Sequence, residues 1–224
     1  MPVRAVTLDL DDTLWPFGPV AERIRQALEG WLAEHAPHTH ARYDPGAAQE
    51  AVEAVRRERT DLAHDIGAQR REALARMLAS CDEDPALADA ALAVAVEARQ
   101  RVDLYPDARP ALDRLAARLP LLGLTNGNAD PHRTGIAPWL CGVVSAAECG
   151  YAKPDPETFR IACDQLALPA REVLHAGDDL HTDVGGALGA GLQAAWVHRD
   201  LEGETPPGVL RVRDLLALAD AVGA

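Results

Sequence analysis

The first strand of this chain ends in a cluster of acidic residues, and this feature constrains the fold most. Residues 3–8 form an apolar run with β-branched members, and Asp-Leu-Asp-Asp-Thr follows at once. The run predicts a buried strand, along which Asp9 and Asp11 point to the same side. Two carboxylates at a strand tip repel each other and lose hydration, which favours a cation between them, with Mg²⁺ as the candidate. The alternative is that Asp12 or Thr13 caps a helix and the other acids face solvent.

The rest of the chain divides into two regions with different sequence patterns. Residues 17–104 contain no convincing strand and are rich in Ala, Glu, Arg and Leu, which predicts about four helices in a separate subdomain. From residue 105 onward strands and helices alternate, which predicts an α/β fold with a Rossmann-like parallel sheet and helices on both faces. The predicted domains are a core of residues 1–16 and 105–224 and a helical insertion of residues 17–104. The later strands are expected at 120–124, 141–146, 172–176 and 192–198, with helices that include 183–190 and a closing helix through Leu215 and Val222.

Polar residues follow several of the predicted strands. Asp9, Thr125, Lys153 and Asp178 all fall at predicted carboxyl ends, where open parallel sheets bind ligands. Each has an ordinary explanation, since a lone lysine is usually solvated, Thr125 lies in a turn-like sequence, and Asp178 could cap a helix. Those explanations leave the common placement unaccounted for, so the pattern predicts one site.

Composition narrows the classes of partner. The chain has 224 residues with 22 Lys and Arg against 35 Asp and Glu, a net charge of −13, which argues against nucleic-acid binding. We see no signal-peptide apolar region and no run near the roughly 18 apolar residues of a membrane span. The four cysteines lack C-x-x-C spacing and are interpreted as reduced thiols. We therefore expect a cytoplasmic protein without a membrane or nucleic-acid partner, as a monomer or homodimer.

Taken in order, these motifs resemble the four motifs of the haloacid-dehalogenase-like hydrolase superfamily. They stand here as residues 9–13, Thr125, Lys153-Pro154 and residues 177–183. The resemblance covers the whole chain, because the helical stretch lies where that superfamily inserts a helical cap. It implies the corresponding fold and a catalytic site at the strand ends.

The resemblance also implies a role for each matching residue. Asp9 would be the nucleophile that forms an aspartyl phosphate, and Asp11 would act as general acid and then general base. Lys153 would neutralise charge shared by nucleophile and phosphate. Mg²⁺ would be held by Asp9, Asp178 and the backbone carbonyl of Asp11. The remaining implied roles are phosphoryl-oxygen binding by Thr125 and the Asn126 amide, and support of the ligands from behind by Asp179 and Asp183.

Asp11 separates branches of the superfamily. Its dehalogenases do not carry a general acid two residues after the nucleophile, whereas its phosphatases and mutases do, so the resemblance implies a phosphotransferase-type member. A hydrolase is expected over a mutase because phosphatases are far commoner. Four stretches are similar to bacterial phosphatases of the riboflavin pathway: residues 125–129, His175 with residues 177–179, residues 182–187, and the pair His64-Asp65. This implies a small phosphate ester as substrate, such as phosphoribitylaminouracil or FMN. A receiver-like phosphate-sensing domain stays open as a non-catalytic alternative.

Overall fold

The chain folds around one parallel sheet. The computed structural model describes residues 2–200 and 204–224, and within these residues there are six strands and ten α-helices. The strands are β1 (Ala5–Leu8), β2 (Leu121–Thr125), β3 (Gly142–Ser145), β4 (Val173–Gly177), β5 (Gln193–Val197) and β6 (Leu210–Val212). Their order in the sheet is β3-β2-β1-β4-β5-β6, with every pairing parallel. The predicted Rossmann-like α/β fold is confirmed.

Strand β1 lies between β2 and β4, beside the position where a ligand site is expected. Leu8 lies opposite Gly123 of β2 and opposite Ala176 of β4. From β1 the chain steps outward through β2 to β3 and then returns to β4 on the other side. The strand order therefore reverses between β1 and β4, which is where such sheets bind ligands beyond the carboxyl ends of the strands. All four residues of β1 are buried, as expected for a strand covered on both faces.

The described residues cluster into two compact units. One comprises Met1–Pro16, Asp103–Gly127 and Pro131–Ala224, and the other comprises Phe17–Val102 and Asn128–Asp130. The second unit is helical. Its helices are α1 (Phe17–His35), α2 (Pro37–Arg42), α3 (Pro45–Glu58), α4 (Ile66–Ser80) and α5 (Ala88–Arg99).

The helical unit is held by its own core. Leu28 and Leu32 of α1 pack with Leu74 and Leu78 of α4, and alanines on α5 complete the cluster. Asp44 and Asp65 start α3 and α4, because each side chain accepts a hydrogen bond from a backbone amide three residues on. The Asp65 carboxylate therefore serves as a helix cap.

The sheet-bearing unit carries the remaining helices. They are α6 (Ala108–Ala116), α7 (Ala146–Cys149), α8 (Pro156–Leu166), α9 (Gly186–Gly189) and α10 (Leu215–Val222). The crossover through α6 runs outward from β1 to β2, and the crossover through α8 runs back from β3 to β4. Since such connections are right-handed, α6 and α8 lie on opposite faces of the sheet. Phe159 and Ala162 of α8 pack against Leu122 of β2.

Two local predictions differ from the structure. The helix expected over residues 183–190 is present but is not α-helical throughout, because Leu180–Gly185 form a π-helical turn and Gly186–Gly189 are α-helical. A Cβ atom at Gly186 would lie 2.6 Å from the Phe159 ring, so the chain packs closely there. Strand β6 has three residues, too few to show alternation, and it was not predicted. Among the described residues, no helix combines the length and apolar character needed to cross a membrane.

Candidate active site

The ends of the central strands bring the sequence-predicted residues together. Asp9 directly follows β1, and its amide donates to the carbonyl of Ala176 in β4, 2.9 Å away. Thr125 is the last residue of β2, and Asp178 directly follows β4. Lys153 comes from the loop before α8, where Lys153-Pro154 is a cis peptide bond. All of them belong to the sheet-bearing unit.

The centre of the site is a buried lysine shared by two carboxylates. The Nζ atom of Lys153 lies 2.6 Å from Oδ1 of Asp9 and 2.6 Å from Oδ1 of Asp183. The side chain of Lys153 is 3% exposed and that of Asp183 is 2% exposed, so solvent screens this arrangement little. Asp183, expected from the sequence to support the ligands from behind, is in direct contact with the lysine.

One ammonium cannot balance both carboxylates, and their pKa values diverge. Burial raises the pKa of Asp9 to about 8, with repulsion from Asp183 and Asp178 adding to the effect and attraction to Lys153 opposing it. For Asp183 burial acts in the same direction, but Lys153 and His175 outweigh it and lower the pKa. Burial also opposes the charge on Lys153, yet the two carboxylates hold its pKa above the ordinary value. The negative charge that Lys153 leaves uncompensated is therefore the charge of Asp9 and not that of Asp183.

Asp178 is the third carboxylate of the site. Burial raises the pKa of Asp178 to about 6, and the charges of Asp183 and Asp12 add to this. Oxygen atoms of Asp9, Asp178 and Asp183 lie within 4.8 Å of one another, and among the described residues they form the only such acidic cluster. Hard carboxylate oxygens with surplus negative charge are the donor set that Mg²⁺ prefers. The residues therefore fit a divalent cation.

Thr13 ties two of these carboxylates together. Its hydroxyl lies 3.2 Å from Oδ1 of Asp178 and 3.4 Å from Oδ2 of Asp9, while the Thr13 side chain is fully buried. The indole Nε1 of Trp196 donates to the backbone carbonyl of Asp178 over 2.8 Å. Neither Thr13 nor Trp196 was given a site role from the sequence, because a threonine after a strand and a tryptophan in one are common structural residues.

Asp11 stands apart from the acidic cluster. Its Oδ1 atom accepts a hydrogen bond of 2.8 Å from the indole Nε1 of Trp15. Trp15 is fully buried, so this donor is fixed and orients the carboxyl group. Because Trp15 is fully buried, its ring is not available to stack on a substrate. Between the two residues, Asp12 adopts a left-handed backbone conformation with φ of 57°, which closes the loop.

The predicted phosphate-binding residues also order the backbone. Oγ1 of Thr125 accepts from the amide of Gly127 at 2.9 Å, which leaves the hydroxyl proton available for donation. The Asn126 side chain is engaged with the backbone of Lys153, accepting from its amide at 2.7 Å and donating to its carbonyl at 2.9 Å. The Asn126 side chain thus fixes the segment that carries the lysine, a role not anticipated from the sequence.

Asp179 acts on the loop below the cluster. Its carboxylate accepts from the amides of His181 and Thr182, at 2.8 and 2.6 Å, and so begins the π-helical turn. Its own amide donates to Oδ2 of Asp183 over 3.1 Å. The Asp179 backbone therefore helps to hold Asp183, while its side chain acts as a cap.

The fold and this site define an α/β enzyme whose acidic and basic side chains meet at the switch point of a parallel sheet. The model of the haloacid dehalogenase-like hydrolase family matches residues 3–191. The chain belongs to that family.

Individual relatives agree with this membership. The chain is 33% identical to the 5-amino-6-(5-phospho-D-ribitylamino)uracil phosphatase YigB of Escherichia coli, over 87% of this chain and 83% of that protein. It is 30% identical to the phosphoserine phosphatase of Thermus thermophilus, over 98% of this chain and 100% of that protein. Among solved structures, a 2-haloacid dehalogenase from Pseudomonas syringae is 31% identical and superposes with a TM-score of 0.90, covering 99% of this chain and 100% of that one.

Gly177 offers a test of how tightly the site is built. A Cβ atom at this position would lie 2.3 Å from Cγ of Asp183, so Gly177→Ala must displace the carboxylate that pairs with Lys153. We expect kcat for p-nitrophenyl phosphate to fall about 100-fold, since a misplacement of about 1 Å in a catalytic arrangement has that effect. Gly189→Ala is the matched control, because a Cβ atom there meets no atom within 4 Å. Equal kcat values for the two variants would contradict this account of the site.

Proposed function

We propose that the protein is a magnesium-dependent phosphomonoester hydrolase that acts through an aspartyl phosphate on Asp9. Two of its relatives, the Escherichia coli and Thermus thermophilus phosphatases described above, support phosphatase activity. The observation that carries the mechanism is the buried Lys153, which bridges Asp9 and Asp183 beside the carboxylate of Asp178. The helical unit between β1 and β2 is proposed to act as a substrate-selecting cap.

Asp9 is proposed as the nucleophile because its carboxylate is the less anchored of the two that share the lysine. Oδ1 of Asp9 is held by Lys153, whereas Oδ2 has only the 3.4 Å contact with Thr13. Attack by Oδ2 forms the bond to phosphorus as the bond to the ester oxygen breaks. Water then attacks the same phosphorus, the bond to Asp9 breaks, and inorganic phosphate leaves.

The approach of a carboxylate to a phosphate brings like charges together, so local positive charge must compensate. Lys153 supplies one such charge at the nucleophile, and the hydroxyl of Thr125 and amide of Asn126 are proposed to donate to the phosphoryl oxygens. A Mg²⁺ ion, when bound by Asp9, Asp178 and the backbone carbonyl of Asp11, supplies further electrostatic stabilisation of that charge.

Asp11 is proposed to move the protons. In the first step it donates its proton to the leaving alkoxide, and in the second it takes a proton from the attacking water, so the residue returns to its starting state. The hydrogen bond from Trp15 occupies Oδ1. This hydrogen bond fixes the orientation of the carboxyl group that transfers the proton.

Replacing the nucleophile should abolish turnover without unfolding the protein. We expect Asp9→Asn to lower kcat for p-nitrophenyl phosphate by at least about a thousandfold, because the amide is a poor nucleophile. Turnover by the unaltered enzyme should also require Mg²⁺ and stop on addition of EDTA. Asp12→Asn is the matched control, since asparagine tolerates the left-handed backbone there, and its kcat should stay within about threefold.

Asp9→Asn activity equal to that of the Asp12→Asn control would remove Asp9 from the mechanism. A phosphorylated protein that forms in the presence of Mg²⁺ and does not turn over would instead support the receiver-like alternative.

The role of Asp11 predicts a dependence on the leaving group. Alkoxides need a proton to depart, whereas p-nitrophenolate departs without one. Asp11→Asn should therefore lower kcat/KM about 10²- to 10⁴-fold for an alkyl phosphate and much less for p-nitrophenyl phosphate, measured side by side by phosphate release. Equal losses with both esters would show that Asp11 is not the general acid.

The substrate is proposed to be a phosphorylated intermediate of riboflavin synthesis or FMN, which is supported by the 33% identity to the Escherichia coli phosphatase. The Pseudomonas syringae structure favours a second candidate, dehalogenation of a 2-haloacid. We expect phosphoribitylaminouracil or FMN to give the highest kcat/KM in a panel that includes phosphoserine and sugar phosphates. Chloride release from 2-chloropropionate is measured in parallel.

Flavin-type phosphates that rank last in this panel would overturn the proposed substrate. Chloride release without phosphate release would overturn the proposed activity. Phosphate transfer within a sugar would indicate a mutase.

A further inference from the structure

Behind the site, inside the sheet, lies a polar chain that the mechanism above does not use. Thr7 of β1 and His175 of β4 are paired in register on adjacent strands. Oγ1 of Thr7 lies 2.8 Å from Nδ1 of His175, and Nε2 of His175 lies 3.1 Å from Oδ1 of Asp183. The three residues are each at most 1% exposed, so these contacts replace water for all of them.

The donors around Asp183 determine which nitrogen of His175 carries the proton. Oδ1 of Asp183 also accepts from Nζ of Lys153, and Oδ2 accepts from the amide of Asp179. A carboxyl group surrounded by donors is a carboxylate with no proton to give, so Nε2 of His175 must be the donor to Oδ1. In the neutral ring Nδ1 is then an acceptor, and the Thr7 hydroxyl must donate to it.

The ring of His175 is held in this orientation from a second direction. Phe159 of α8 meets it edge to face, with ring centroids 5.2 Å apart and an interplanar angle of 85°. Burial in this apolar and hydrogen-bonded setting, opposed by Asp183, lowers the pKa of His175, in agreement with a neutral ring. The imidazole is thus fixed by Thr7, Phe159 and Asp183 together.

We infer that Thr7 and His175 are positioning residues, which fix the Nε2–H tautomer of the imidazole and thereby hold Asp183 in the place where it fixes Lys153 against Asp9. The hydrogen bonds run from the Thr7 hydroxyl to Nδ1, from Nε2–H to Asp183, and from Lys153 to both carboxylates. Neither residue touches the reacting atoms. The inference adds a supporting layer to the proposed phosphatase mechanism, but the tautomer itself does not depend on that function.

The first test reads the tautomer directly and needs no activity. The full-length protein, labelled with ¹⁵N, is studied by long-range proton–nitrogen NMR of its imidazoles at pH 7, with the His175 signals assigned by their loss in His175→Gln. We expect a protonated Nε2 and an unprotonated Nδ1 at His175. A protonated Nδ1, alone or together with Nε2, overturns the inference whether or not the protein hydrolyses phosphate esters.

The second test uses two variants that differ by one functional group. Thr7→Val keeps the shape of the side chain and removes the hydroxyl, whereas Thr7→Ser keeps the hydroxyl. With p-nitrophenyl phosphate and saturating Mg²⁺, we expect Thr7→Val to lower kcat about tenfold with KM within about twofold, because a buried acceptor loses its partner. Thr7→Ser should retain kcat within about twofold.

Equal kcat values for the two variants would overturn the positioning role, as would a Thr7→Val loss that appears in KM alone. If Thr7→Val does not fold, the tautomer of the unaltered protein and the kcat of Thr7→Ser still decide. An inactive unaltered protein with the expected tautomer would count against the proposed function and not against the inferred hydrogen bonds.

Discussion

The site depends on one buried ammonium group shared by two carboxylates that are anchored unequally. Asp183 receives hydrogen bonds from Lys153, His175 and the amide of Asp179, whereas Asp9 has Lys153 and a long contact with Thr13. Removing one partner from a buried ion pair typically costs about 3–5 kcal/mol, so the contact between Asp183 and Lys153 is expensive to break. Asp9 keeps one oxygen that is loosely held. The same lysine therefore serves a firmly held carboxylate and the proposed nucleophile.

Whether a site residue could be predicted from the sequence depends on its position in the fold. Asp9, Thr125 and Asp178 end parallel strands, and strand ends converge by geometry alone, so the sequence pattern was sufficient to group them. The direct contact of Asp183 with Lys153 depends on a π-helical turn, which side-chain periodicity does not reveal. His175 and Thr7 sit inside buried strands, where a polar residue gives no sign of its partner until the register is known. The orientation of Asp11 by Trp15 depends on the backbone of one loop and was likewise not foreseeable.

The chain has a net negative charge and its proposed substrate is an anion, so positive charge near the site must offset their repulsion. The helical unit carries exposed arginines, which are one source of positive charge. Arg59 and Arg71, however, pair with Asp61 and Asp89 at 2.6 and 2.5 Å. Such exposed pairs contribute little to stability, but they leave little free positive field at these positions. At the strand-end site, Lys153 and a bound divalent cation are the proposed sources of positive charge for the phosphate.

The balance of charge at the strand-end site explains why a cation is needed there. The carboxylates of Asp9, Asp178 and Asp183 surround a single ammonium, which leaves a surplus of two negative charges in a buried volume. The raised pKa values of Asp9 and Asp178 express that surplus in the metal-free protein, since protonation is then the only way to relieve it. A divalent cation relieves it without protonation and so leaves Asp9 ionised, which is the state a nucleophile needs. In the proposed mechanism, metal binding and nucleophile activation are thus consequences of the same excess of carboxylates over lysine.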